Sequence, residues 1–150
     1  NTHSIPYYLD CGTLLGTIRE NDLLPHDTDV DVTTHLSDWD RLKEIDFTKY
    51  GLKKTRQWDK NHKLISVKFQ DKRMHVDIYC NPAFPKLETR ILNNVTYKIP
   101  IESELYLEQL YNNWRVKSSQ HADWPRLFYG RLITGPYAKN WDPNYKIIRL

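Results

Sequence analysis

The chain has 150 residues, 39% hydrophobic and 27% charged side chains, and a formal net charge of +3. That length suits one domain whose core needs no covalent staples, and no apolar run approaches the ~20 residues of a membrane helix, so any membrane attachment is expected outside this segment. The two cysteines, Cys11 and Cys80, form no CxxC or zinc pattern, flank acidic strands that could lie close in space, and are expected as buried free thiols.

The chain opens at "NTHSIPYYLD" without an initiator Met, and is expected to be one domain, residues 1–150, of a fragment or processed form whose upstream part is missing. No internal repeat interrupts it. "PYYLDCG" predicts a short strand ending in a turn, and "TLLGTIREN" a short helix entered at Gly12-Thr13, with Leu14, Leu15 and Ile18 at helical spacing. "DTDVDVTT" alternates polar with β-branched residues and predicts a strand. "LSDWDRLKEI" predicts a helix capped by Ser37, with Trp39, Leu42 and Ile45 on one face. "HKLISVKF" and "RMHVDIYC" predict two strands joined by a hairpin. The first turns Ile65, Val67 and Phe69 one way, and the second turns Met74, Val76 and Ile78 inward and His75, Asp77 and Tyr79 outward. "YKIPI" predicts a short extended piece, "SELYLEQLYNNW" an amphipathic helix capped at Ser103, and "WPRLFYGRL" one further short helix. Helices interleaved with hairpin-compatible strands predict an α+β fold with a mixed β-sheet.

Charge is unevenly distributed. Residues 1–50 hold ten acidic against four basic side chains, whereas 53–73 hold Lys53, Lys54, Arg56, Lys60, Lys63, Lys68, Lys72 and Arg73 against Asp59 and Asp71. A basic block beside an acidic one suits an anion held with a metal, such as a phosphate ester, although most of these lysines are expected on a solvated strand face.

Asp27, Asp29 and Asp31 stand at every-other spacing, and residues two apart on a strand share a face roughly 6.6 Å apart. Three carboxylates so placed repel one another unless a cation or solvent relieves them. Asp77 joins them if its strand pairs beside the first. Oxygen ligands of this kind suit Mg²⁺ or Mn²⁺ shared with a substrate phosphate, and Asp29, Asp31 and Asp77 are the expected metal ligands, with Asp27 at the rim. Gly12 and Thr13 at a helix start offer N–H groups and a hydroxyl to a phosphate. Gly16 would let another segment approach closely, and Arg19 could donate a bidentate pair to the same phosphate. His26 could be a supporting donor, and the other histidines read as surface or packing residues. No GxSxG elbow, HExxH, Walker loop or Rossmann fingerprint is present, and no nucleic-acid partner is expected.

The stretch "YYLDCGTLLGTIRENDLLPHDTDVDV" resembles the LicD family, which includes bacterial phosphocholine transferases and the fukutin group. Gly12, Thr13, Leu14, Leu15, Gly16 and Arg19 match its GTLLGxxR pattern. Pro25, Asp27, Asp29 and Asp31 match its P-W-D-x-D-x-D pattern, with His26 in place of the usual Trp, and "VDIYC" looks like its third-carboxylate strand. The resemblance implies a single catalytic domain over residues 1–150 that lacks the family's N-terminal helix, with a nucleotidyltransferase-like fold, a mixed sheet flanked by helices with the metal site at one sheet edge. It also implies metal-dependent transfer of a phospho-alcohol, phosphocholine or ribitol phosphate, from a CDP-linked alcohol donor to a glycan acceptor. Two alternatives stand beside it. One is a small nucleotidyltransferase that uses a nucleoside triphosphate. The other is an inactive glycan-binding module with Trp114, Trp124, Tyr129, Tyr137 and Trp141 stacking on sugar rings, although packing is the expected role of most of them. Compartment is left open, and the sequon at Asn94 is meaningful only in a lumen.

Overall fold

The β-branched and aromatic runs form one five-stranded sheet in a computed structural model that describes residues 2–60, 62–70, 73–111, 113–117 and 135–148. In chain order the strands are β1 (Tyr7–Leu9), β2 (Asp29–His35), β3 (Leu52–Trp58), β4 (Lys63–Phe69) and β5 (His75–Asn81), followed by β6 (Leu87–Leu92) and β7 (Val95–Pro100). The sheet order is β1-β2-β5-β4-β3. β2 and β5 run parallel at its centre, and the other pairs are antiparallel. The strands between β2 and β5 in sequence occupy the far edge, so the chain brings two distant acidic segments side by side. This is the α+β mixed sheet expected from the sequence. β6 and β7 form a separate hairpin whose turn residues Asn93 and Asn94 both have positive φ, the conformation a two-residue turn requires.

Among the described residues, the α-helices that flank the sheet are α1 (Cys11–Arg19), α2 (Trp39–Lys43) and α3 (Ser103–Leu110). Ile65, Val67, Val76, Ile78 and Cys80 pack on one face against Trp39, Leu42 and Phe47. A larger cluster gathers Tyr8, Leu14, Leu15, Phe84, Tyr106 and Leu107 around α1 and α3. Trp114 and Tyr137 lie buried in that cluster and Trp141 packs against it, so these three aromatics serve packing. Trp124, Tyr129 and the helix expected around "WPRLFYGRL" lie outside the described residues. Cys11 and Cys80 are buried thiols that are not joined in a disulfide.

Three local expectations change. A 3₁₀ turn (Leu36–Asp38) precedes α2, and the cap is the His35 side chain in place of Ser37, with His35 Nδ1 accepting from the Ser37 N–H. Glu102, at φ 51°, occupies the cap position of α3, while the Ser103 hydroxyl donates to the Pro100 carbonyl. Phe69 shares the side of Ile65 and Val67 as read, but at the end of β4 it is exposed and not packed with them. No helix among the described residues is long and apolar enough to cross a membrane.

Candidate active site

Register brings the acids together. β2 and β5 place Asp31 opposite Asp77, β4 places Ser66 opposite Asp77, and β3 places Arg56 opposite Ser66. One lateral row, Arg56–Ser66–Asp77–Asp31, therefore crosses four strands on the sheet face opposite Val67, Val76 and Ile78. Asp29 enters from the start of β2, and carboxylate oxygens of Asp29, Asp31 and Asp77 lie within 4.8 Å of one another. Among the described residues this trio is the one group of acidic, histidine or cysteine side chains that could hold a metal ion. The acids sit near the N-terminal ends of two interior strands, whereas the sequence placed the site at a sheet edge.

Asp31 is 9% exposed and Asp77 6%, so both are largely withdrawn from water. Burial, followed by the charges of Asp29, Asp77, Asp10 and Asp27, pushes the Asp31 carboxyl up to about 8. Burial, then the Asp77 charge and a hydrogen bond to Asp77, raises Asp29 as well. Like charges in a low-dielectric site disfavour the ionised form, so this cluster favours protonated carboxyls. Asp77 is supported from outside the trio: the Ser66 hydroxyl donates to its Oδ1, and Arg56 Nη2 lies 3.7 Å from that oxygen.

Asp27 does not share the strand face. A turn closed by its N–H to the Leu24 carbonyl, at 3.0 Å, delays the start of β2 to Asp29. Its carboxylate instead stands over Gly12: a Cβ there would lie 2.8 Å from Asp27 Oδ2. Asp27 thus lies beside the first turn of α1, where a carboxylate is electrostatically favoured. His26 Nε2 is 3.7 Å from Asp27.

The Thr13 hydroxyl accepts from the Asp31 N–H at 2.8 Å and is buried, fastening α1 to β2. Gly16 permits close backbone approach, since a Cβ would sit 2.6 Å from the Asp22 carbonyl oxygen. Arg19 is not brought to the acids. It ends α1, roughly 12 Å along the helix from Cys11 at 1.5 Å per residue, and its guanidinium donates to Glu20 and to the Trp114 carbonyl, each at 3.1 Å.

Sequence reasoning missed Arg56 and Ser66 as site residues, and also Asp10. The Asp10 carboxylate is fully buried, caps α1 by accepting from the Cys11 N–H at 2.8 Å, and accepts from Thr33 Oγ1 at 2.6 Å and Tyr106 OH at 3.0 Å. Its backbone N–H donates to the Asp31 carbonyl at 3.0 Å, setting the trio's position relative to α1.

A mixed sheet presenting three converging carboxylates beside a helix N-terminus defines a class of protein, an α+β domain suited to phosphoryl-group chemistry. The family follows from a family model described as LicD/FKTN/FKRP, nucleotidyltransferase domain, which matches residues 4–141. The chain belongs to the LicD family, a membership that points to a phosphotransferase or nucleotidyltransferase-like transferase. No curated protein matches the chain.

Proposed function

We propose that this domain is a metal-dependent phosphotransferase moving a phospho-alcohol, of the phosphocholine or ribitol-phosphate type, from a CDP-activated donor to a glycan hydroxyl. The observation that carries the reading is the convergence of Asp29, Asp31 and Asp77 within 4.8 Å, two of them nearly fully buried. An oxygen-only set with an accumulated negative charge and little neutralisation from the protein fits a hard divalent ion. Asp29, Asp31 and Asp77 would hold Mg²⁺ or Mn²⁺, which when bound neutralises diphosphate charge and stabilises the leaving oxygen.

The remaining chemistry falls to the chain. In the transfer, the acceptor hydroxyl oxygen bonds to the phosphorus that carries the alcohol, and the bond from that phosphorus to the CMP oxygen breaks. The hydroxyl proton passes to a carboxylate, Asp27 or Asp77, directly or through water. Asp27 stands at the rim with a side chain 19% exposed, open to an incoming acceptor. Thr13 and Asp10 hold α1 against β2 so that the acids keep their spacing. A basic segment from Lys53 to Arg73 draws in the anionic donor, an effect that salt weakens.

The test offers CDP-choline or CDP-ribitol, Mg²⁺ and a glycan panel, and follows CMP release together with the glycan's mass. CMP released with a matching mass gain on the glycan supports the reading. Pyrophosphate from ATP or CTP, with a nucleotide added to the acceptor, would overturn it in favour of the nucleotidyltransferase alternative, which the family description keeps open. The glycan-binding alternative loses its sugar-stacking candidates Trp114 and Tyr137, since both are buried.

A further inference from the structure

Resting on that reading, we propose that Arg56 binds the donor's diphosphate, turned toward the carboxylates by a β-bulge. In a regular strand, Leu52, Lys54 and Arg56 share a face. Leu52 and Lys54 pair with Phe69 and Val67, which places them on the side of the Trp39–Phe47 cluster. The register shifts between Lys54 and Arg56, leaving Thr55 as the extra residue, and Arg56 then pairs with Ser66 on the Asp77 face. Re-aiming a side chain is what a bulge accomplishes, and here it carries a cation from one face of the sheet to the other.

The guanidinium is held in place before any ligand arrives. Nε and Nη2 each donate to Ser66 Oγ at 3.2 Å, and the group lies 4.7 Å from the centre of the Trp58 ring. Nη1 has no hydrogen-bond partner among the described residues, and the side chain is 46% exposed. A cavity of about 360 Å³ opens between Arg56, Asp29 and Asp77, with Thr28, Ser66 and His75 on its walls. One wall thus suits a divalent cation and another offers N–H donors to an anion bound to that cation.

A counter-ion role alone leaves these features unexplained. A dedicated partner of Asp77 would bond it directly, whereas Ser66 takes that contact and Arg56 stays 3.7 Å away. One guanidinium also cannot balance three carboxylates. Lys54 and Lys63 pair with Val67 and Cys80 on the opposite face; of the cations on the Asp77 face, Lys53 and Lys68 stand further along their strands, beside His75, whereas Arg56 stands in the row of Ser66 and Asp77. The planar fork matches phosphate oxygens as an ammonium does not.

The test measures Mn²⁺ binding by electron paramagnetic resonance and CDP binding by calorimetry at saturating Mn²⁺, for wild type, Arg56→Gln and Arg56→Lys. CDP affinity should fall at least tenfold in Arg56→Gln and by less in Arg56→Lys. Mn²⁺ affinity should stay unchanged or tighten, because a cation beside Asp77 has been removed. A CDP loss below tenfold overturns the proposal, as does a parallel loss of Mn²⁺ affinity, which would make Arg56 a support of Asp77 only. If Arg56→Gln does not fold, Arg56→Lys is judged alone, and CDP affinity equal to wild type overturns the proposal. A wild-type protein that binds no Mn²⁺ would overturn the functional reading itself, and this inference with it.

Discussion

Asp10, just after β1, is joined by its N–H to the Asp31 carbonyl in β2, and both side chains are buried, yet their surroundings are opposite. Around Asp10 three donors converge: a helix N–H and the hydroxyls of Thr33 and Tyr106. Around Asp31 the neighbours are Asp29, Asp77, Asp10 and Asp27, all of its own sign. Burial of a charge is tolerated when hydrogen bonds satisfy it and costs stability when they do not. Asp10 is therefore part of the scaffold, whereas the residues around Asp31 fit a cation that the polypeptide does not supply. Burial alone does not distinguish the two roles, and the partners do.

Substitution at each position should separate them. Asp31→Asn is expected to lower Mg²⁺-dependent turnover by more than the roughly 100-fold seen when a metal ligand's supporting partner is lost. It should leave the metal-free fold intact or more stable, because a repelling charge is removed. Activity with saturating Mg²⁺, read beside thermal melts in chelator, checks both halves, and full activity would remove Asp31 from the site. Asp10→Ala should do the reverse, costing on the order of 3–5 kcal/mol in urea unfolding because three buried donors lose their acceptor. A loss under 1 kcal/mol would sink the scaffold role.

The pH dependence of stability sharpens the same contrast. The folded protein raises the Asp31 carboxyl from 3.8 to about 8, so between those values the folded state binds a proton that the unfolded chain has released. This contribution is fully present below 3.8 and is lost as pH rises through about 8, with a slope of at most about 1.4 kcal/mol per pH unit for one proton. Asp29, raised in the same direction, adds to it. Metal-free protein should thus melt at a higher temperature at pH 5.5 than at pH 7.5. Asp31→Asn should flatten that difference, and saturating Mg²⁺ should reverse it by competing with protons. Equal slopes in chelator for wild type and Asp31→Asn would refute the assignment.

The trio was legible in the sequence because strand periodicity is two, and the letters of "DVDV" and "HVDIY" show which residues share a face. The same rule failed wherever the backbone departed from it. Asp27 left the face because a turn at Leu24–Asp27 precedes the strand, and Arg56 joined it because a bulge at Thr55 breaks the period. Arg19 matched the family pattern by position, but nine residues of helix carry it to the far end of α1. Asp10 was invisible because its partners Thr33 and Tyr106 are distant in sequence. The β6–β7 hairpin carried a readable signal, the Asn93-Asn94 pair between β-branched runs, and only its second strand was read.

The two glycines of α1 extend the contrast between scaffold and site at its smallest scale. A Cβ on Gly16 would meet backbone, 2.6 Å from the Asp22 carbonyl oxygen and 2.9 Å from the Leu24 nitrogen, and neither atom can withdraw without moving the loop. Gly16→Ala is therefore expected to cost about 1–3 kcal/mol, the usual penalty of overpacking. A Cβ on Gly12 would meet only the end of the Asp27 side chain, which can rotate away. Replacing glycine by alanine inside a helix contributes about 0.5–1 kcal/mol in its favour, so Gly12→Ala should change stability by less than about 1 kcal/mol in either direction. Its signature is electrostatic instead. Displacing Asp27 removes one of the charges that raise the Asp31 carboxyl, and that carboxyl should titrate at lower pH in metal-free protein. Carbon-13 NMR of the carboxyl groups reads the shift directly. No shift in Gly12→Ala, or a shift of equal size in Gly16→Ala, would mean that Asp27 does not act on the trio from its place over the helix N-terminus.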